Sequence, residues 1–166
     1  MQIAIEFKPE LCPKSLECFS APHGQNHASR LAQEYAQNHL FVDLLNAYRR
    51  SGGLARAQEV AARFKRQGVN DISPLAGWLV RREVISIEWQ SKIWLPLFQF
   101  QPAGMVLRPG LSAVLAELVV VYNAWEVATW FCEPNTWLAD ATPIDSLAMG
   151  TANLLDAARA VRFSQG

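Results

Sequence analysis

The sequence predicts a mainly α-helical fold, broken in the middle by one short β-hairpin and closed by an all-α C-terminal region. Three observations lead there. After residue 26, apolar residues recur at spacings of three to five over most of the chain, the period of a helix face. One segment, VISIEWQSKIWLPLFQF (84–100), instead gathers β-branched and aromatic residues on either side of Gln90-Ser91, as two strands around a turn do. The third is WEVATWFCEPNTWLADATPIDSL (125–147), which ends a helix near Pro134 and restarts one at Thr142-Pro143. Threonine suits the N-cap, proline the first helical position, and Asp145 adds a carboxylate to the first turn. The loop between the two helices is a tight elbow, with Trp137 as its aromatic plug.

Composition supports a packed domain, or two small ones. Of 166 residues, 51% are hydrophobic and only 18% charged, which is core-forming rather than disordered. The zero net charge hides an asymmetry. Residues 49–92 carry 9 basic against 4 acidic side chains, and residues 101–166 carry 3 against 6. The middle therefore suits an anionic partner and the C-terminal third does not. Three cysteines (Cys12, Cys18, Cys132) make an odd number without CxxC spacing, which fits a reducing, cytoplasmic setting better than a disulfide framework. The opening MQIAIEFKPE has no basic region followed by a long apolar core, so no signal peptide is expected. The most apolar window, 111–131, is interrupted by Glu117, Asn123 and Glu126 and reads as a buried helix, with no membrane span expected.

In chain order, residues 1–26 form an irregular arm rich in Pro, Ser and Cys. His23 and His27 have a helical metal-ligand spacing, but Pro22 and Gly24 argue against a helix there and no acidic or cysteine partner is near, so no metal is expected. Residues 27–50 form a helix with Leu31, Tyr35, Leu40, Leu44, Leu45 and Tyr48, stopped by Ser51-Gly52-Gly53. A new unit, 54–100, begins with a helix over 54–67 ended by Gly68. Ser73-Pro74 starts a second helix, 74–82, and the two strands follow. After a proline- and glycine-rich connector, a single helix is expected over 111–131, with Trp125 and Trp130 on different faces. A last helix runs over 151–163, turning Leu154, Leu155, Ala158 and Val161 inward.

Helix, turn, helix and hairpin in this order are the layout of a winged helix-turn-helix, and the region resembles the small helix-turn-helix of excisionase-like regulators. Arg56, Lys65, Arg66, Arg81, Arg82 and Lys92 are the candidate DNA contacts, with Arg63 beside them. Ser73 to Gly77, where base-reading side chains would stand, offers little for reading bases. The same basic residues also fit an ordinary solvated face, and the module a scaffold or dimer surface.

Residues 111–163 resemble the toxin-binding domain of Xre/ParS/MbcA-type antitoxins. The resemblance rests on Trp130, Phe131, Pro134, Asn135, Leu138, Thr142, Pro143, Leu147 and Gly150, with Ala139-Asp140-Ala141 where the family usually has glycine-rich residues. The middle of the chain is similar to the helix-turn-helix of stand-alone members. The resemblance implies a protein that binds and neutralises a RES-domain toxin, an NAD-consuming enzyme, by covering its active site, and that also represses its own operon through operator DNA. Carried over to this chain, it places toxin contact at Asn135, Trp137, Leu138, Asp140, Arg159, Arg162 and Phe163. Aromatic and arginine side chains are the usual anchors of such interfaces. Trp137 as an elbow plug and Leu138 as core are the competing readings. Replacing Arg162 by Glu and Phe163 by Ala is expected to leave the fold intact and abolish partner binding.

No catalytic triad, phosphate-binding glycine loop or metal cluster stands in the sequence. His39 is alone, and Glu117 and Glu126 fall on opposite sides of a helix. The expectation is a non-enzyme without cofactors. Besides the antitoxin, the classes left are a DNA-binding transcription regulator whose C-terminal domain dimerises and an assembly subunit with neither activity. The tryptophan-rich C-terminal helix favours a homo-oligomer.

Overall fold

The computed structural model describes residues 23–66, 68 and 73–165. They fall into two units, one ending at Glu34 and one running from Tyr35 onward, with the division inside the first helix, α1 (His23–Ala47). The earlier unit holds the opening turns of α1, where side chains from Ala28 to Glu34 are all exposed. The helix begins at His23, ahead of the expected residue 27, and runs through Gly24. A glycine costs a helix only about 1 kcal/mol, and a proline just ahead of the first turn forfeits no helical hydrogen bond. Cys12, Cys18 and the rest of the predicted arm lie outside the described residues.

The unit from Tyr35 onward is mainly helical, with one small three-stranded antiparallel sheet. Its part of α1 buries Phe41 and Leu44; a 3-10 turn, Tyr48–Ser51, follows with Tyr48 buried and ends at Gly52, whose φ of 106° turns the chain sharply. The next residues depart from the predicted helix over 54–67: Leu54–Arg56 form strand β1, and α2 covers only Ala57–Arg66. β1 pairs with β3 (Lys92–Pro96) in the register Leu54–Pro96, Ala55–Leu95, Arg56–Trp94. Glu59 accepts a hydrogen bond from the Arg56 N–H at 3.2 Å and starts α2 where the strand stops. Helix α3 (Ser73–Val80) stops short of the predicted residue 82, with Arg82 in the left-handed region at φ 56°.

β2 (Ile87–Trp89) and β3 form the predicted hairpin, and Gln90 and Ser91 both take positive φ, as a tight two-residue turn requires. β3 ends earlier than predicted, at Pro96, which has no N–H to continue a ladder; Leu97–Gln99 form a 3-10 turn instead. The buried Gln99 side chain replaces the missing pairing. Its Oε1 accepts from the Ile85 N–H at 2.8 Å, and its Nε2 donates to the Ile85 carbonyl at 3.0 Å.

The helix expected over 111–131 is two helices, α4 (Leu111–Leu118) and α5 (Ala124–Trp130). Asn123 causes the break. Its side chain accepts from the Trp125 and Glu126 N–H groups, and Glu126 reaches back to the Asn123 N–H at 2.7 Å, a complete capping box. Glu126, which the apolar run made look misplaced, is the cap of α5. After the elbow come α6 (Pro143–Ser146) and α7 (Ala152–Gln165). α7 packs along α4, and Gly110 at the head of α4 has φ 80°, with Thr151 so close that a Cβ would stand 2.2 Å from its hydroxyl.

Two apolar clusters result. One joins α1, α4, α5, α7 and the hairpin through residues such as Phe41, Leu115, Phe131 and Leu154; the other, around Val60, Phe64, Leu75 and Phe100, underlies α2 and α3. No helix among the described residues is long and apolar enough to cross a membrane.

Candidate partner-binding surface

The elbow between α5 and α6 is tied by Asn135. Its side chain accepts from the Trp137 N–H at 2.9 Å, its carbonyl accepts from the Leu138 and Asp140 N–H groups, and its own N–H reaches the Ala141 carbonyl at 3.1 Å. The Ile144 N–H then donates to the Phe131 carbonyl, stapling the start of α6 to the end of α5. Thr142 caps α6 as predicted: its hydroxyl accepts from the Asp145 N–H and donates to the Asp145 carboxylate at 2.7 Å.

This wiring separates the four predicted elbow residues by task. Asn135 is half-buried and spends its polar atoms on the loop itself. Leu138, only 9% exposed, fills the elbow from inside and belongs to the main core. Trp137 does not plug the elbow. It is 69% exposed, because the 3-10 turn Thr136–Leu138 sends successive side chains in different directions and the inward one is Leu138. Asp140 is exposed at φ 62°, next to Ala139 at φ 54°, so the two left-handed positions fall where glycine is the usual occupant.

On α7, Arg162 donates to Glu117 of α4 at 2.7 Å and Arg159 approaches the same carboxylate at 3.5 Å. The hydrogen bond from Arg162 holds the Glu117 carboxyl below its ordinary pKa, opposed by partial desolvation. Arg159 also pairs with Asp156 one turn back. Phe163, 87% exposed, shares a shallow hollow of about 260 Å³ with these three charged side chains. Trp137 on the elbow and Phe163 on α7 are thus bare aromatic side chains, and beside Phe163 two guanidinium groups are held in place by a carboxylate.

The predicted DNA contacts are spread more widely. Arg56 lies over the Trp94 ring at 5.2 Å and shares a small cleft with Lys92. Lys65 and Arg66 are exposed in the last turn of α2. Arg81 is engaged in a two-point pair with Glu83, at 2.8 and 3.0 Å, and Arg82 lies on the rim of a separate groove. Pro74, Ala76 and Val80 are exposed on α3, a face without hydrogen-bonding side chains at those positions.

Several residues that hold the surface in place went unread in the sequence. Tyr48, fully buried in the 3-10 turn after α1, donates its hydroxyl to the Ala128 carbonyl at 2.7 Å and so caps α5. Burial is the main reason that this hydroxyl keeps its proton well above the ordinary tyrosine range. Burial also pushes the neighbouring Cys132 thiol up to about 11. The readable signal for α5 was the Asn-x-x-Glu spacing of Asn123 and Glu126. Compared with known proteins, the chain matches no protein-family model, no curated protein and no solved structure.

Proposed function

We propose that this chain is an antitoxin-like inhibitor that binds a RES-type, NAD-consuming toxin in the cytoplasm and covers its active site with the elbow and the end of α7. One observation carries the reading: an elbow braced on both sides by its own hydrogen bonds holds Trp137 out into solvent. Tryptophan is among the side chains that most often anchor a protein interface, and a rigid loop loses little further freedom on binding. Phe163, Arg159 and Arg162 extend the surface with the side-chain types that dominate protein interfaces. Asn135 and Leu138 serve it as positioning residues, and Asp140 at the tip is an accessible polar contact.

Co-expression of the tagged chain with its chromosomal neighbours, followed by pull-down, tests the proposal. The expected result is a stoichiometric partner whose NAD consumption stops in the complex. A co-purifying partner that keeps its full NAD turnover overturns it.

A second reading, a winged helix-turn-helix regulator that dimerises through its C-terminal domain, is favoured by a different observation. The order α1-β1-α2-α3-β2-β3, with a three-stranded antiparallel sheet in the order β1-β3-β2, is compatible with that layout. Arg56, Lys65, Arg66 and Lys92 are then the phosphate contacts, with Arg81 and Arg82 beyond the end of α3. The apolar exposed positions of α3 fit phosphate-dominated binding better than base reading. Binding to the chain's own promoter that weakens steeply with salt supports this reading, and salt-independent or absent binding removes it.

A further inference from the structure

Beyond the surface just described, a second groove runs along α5. It holds about 410 Å³ and is lined by Leu40 of α1, by Tyr122, Trp125 and Trp130, and by the carboxylates of Glu126 and Glu133. Trp125 and Trp130, expected on different faces of one long helix, both line this groove, near the two ends of α5. No basic side chain lines it. Glu133 is exposed, and its carboxylate has no hydrogen-bond or ion-pair partner among the described residues. Glu126 uses Oε2 to accept from the Asn123 N–H, so its other oxygen has no partner among the described residues. Trp130 is 7% exposed, and its indole N–H is buried without an acceptor. An orphaned donor of this kind costs free energy until an acceptor arrives.

We infer that this groove docks a basic peptide segment of a partner protein, taking an arginine or lysine side chain between the aromatic rings and the two carboxylates. Each wall answers one part of such a ligand. The ring faces attract a cation, the alkyl stem packs on Leu40, and the carboxylates neutralise the charge. Phosphate-bearing partners are disfavoured by the same carboxylates, and a purely apolar ligand would leave them unused. The C-terminal third, with 6 acidic residues against 3 basic, is attractive to a cationic segment over a longer range. The inference does not depend on the proposed function, since it uses none of the residues assigned to toxin contact.

The test is titration calorimetry of the full chain with an acetylated, amidated peptide of alternating glycine and arginine, beside its citrulline counterpart. Citrulline keeps the shape and removes the charge. The arginine peptide should bind about tenfold or more tightly, roughly the effect of losing one buried charge contact. Glu126→Gln with Glu133→Gln should remove that advantage while leaving the circular dichroism unchanged, because glutamine still completes a capping box. Glu88→Gln, on the sheet, should change nothing. Equal affinity for both peptides, no binding at millimolar peptide, an unaltered double variant or an equal loss in Glu88→Gln each overturns the inference. So does sedimentation showing a dimer that the double variant dissolves, which would make a second copy of the chain the occupant.

Discussion

Ala139 and Asp140 place a measurable strain in the elbow. Both sit in the left-handed region, and the two residues differ in how they bear it. Aspartate tolerates that conformation, whereas alanine meets its following carbonyl at a cost of about 1–2 kcal/mol. The loop adopts at both positions the conformation that glycine favours, with no glycine in it. Ala139→Gly should therefore stabilise the protein by about 0.5 kcal/mol, after the extra unfolded-state freedom of glycine offsets part of the relief. Urea unfolding reads the change as a higher midpoint at an unchanged slope, and a lower midpoint would show that the loop is not strained at this residue. Cys132 is a second residue-scale case. With its thiol near 11 rather than 9.0, about a hundredfold less thiolate is present at pH 8, so alkylation should be slower by about that factor than for an exposed cysteine. The rate is measured in a Cys12→Ser, Cys18→Ser background, and alkylation as fast as that of a small-molecule thiol would contradict the burial.

At the scale of elements, long-range polar contacts decide where the helices end. Tyr48 caps the last turn of α5 across 80 positions of sequence. Tyr48→Phe keeps the ring stacked on Phe98 but strips the buried Ala128 carbonyl of its donor, which should cost about 1–3 kcal/mol in thermal or urea unfolding. A neutral outcome would mean that the carbonyl finds another partner. Glu117 joins α4 to α7 in a way that depends on pH. Its folded pKa lies below the ordinary glutamate value, so the stabilisation is present above the ordinary carboxylate range and is lost as pH falls through the folded pKa. The melting-temperature gap between the parent and Glu117→Gln should hold near neutral pH and close below about pH 4.5; a gap that persists in acid would assign the effect to packing. These contacts explain what was legible in the sequence. The elbow could be read because Thr142, Pro143 and Asp145 act on neighbours three residues away. The hairpin could be read because Gln90-Ser91 sits between two strand-like runs. β1 could not, since Leu54–Arg56 is too short to show an alternating period and becomes a strand only by pairing with β3. The break between α4 and α5 was present as the Asn123–Glu126 spacing, but an apolar run on both sides outweighed it. Tyr48 with Ala128, Gln99 with Ile85 and Glu117 with Arg162 meet only after folding.

Across the whole molecule, the same contacts determine how the partner surface can be probed. Arg162→Glu with Phe163→Ala looked like a clean pair from sequence, expected to leave the fold intact. Arg162 instead neutralises Glu117 at 2.7 Å, so a glutamate there sets two carboxylates together on the seam between α4 and α7. Loss of binding in that variant would mix a damaged fold with a damaged interface. Trp137→Ser with Phe163→Ser avoids the ambiguity, because both rings are exposed, at 69% and 87%, and neither belongs to the apolar clusters. Removing exposed side chains of this kind should change unfolding stability by no more than about 0.5 kcal/mol. If the rings are anchors of a protein interface, each should contribute about 2 kcal/mol or more, and the double variant should bind the proposed partner about a thousandfold more weakly. Calorimetric binding beside urea unfolding separates the outcomes. A stable variant that no longer binds supports the proposed surface, and a stable variant that binds as the parent does removes Trp137 and Phe163 from it.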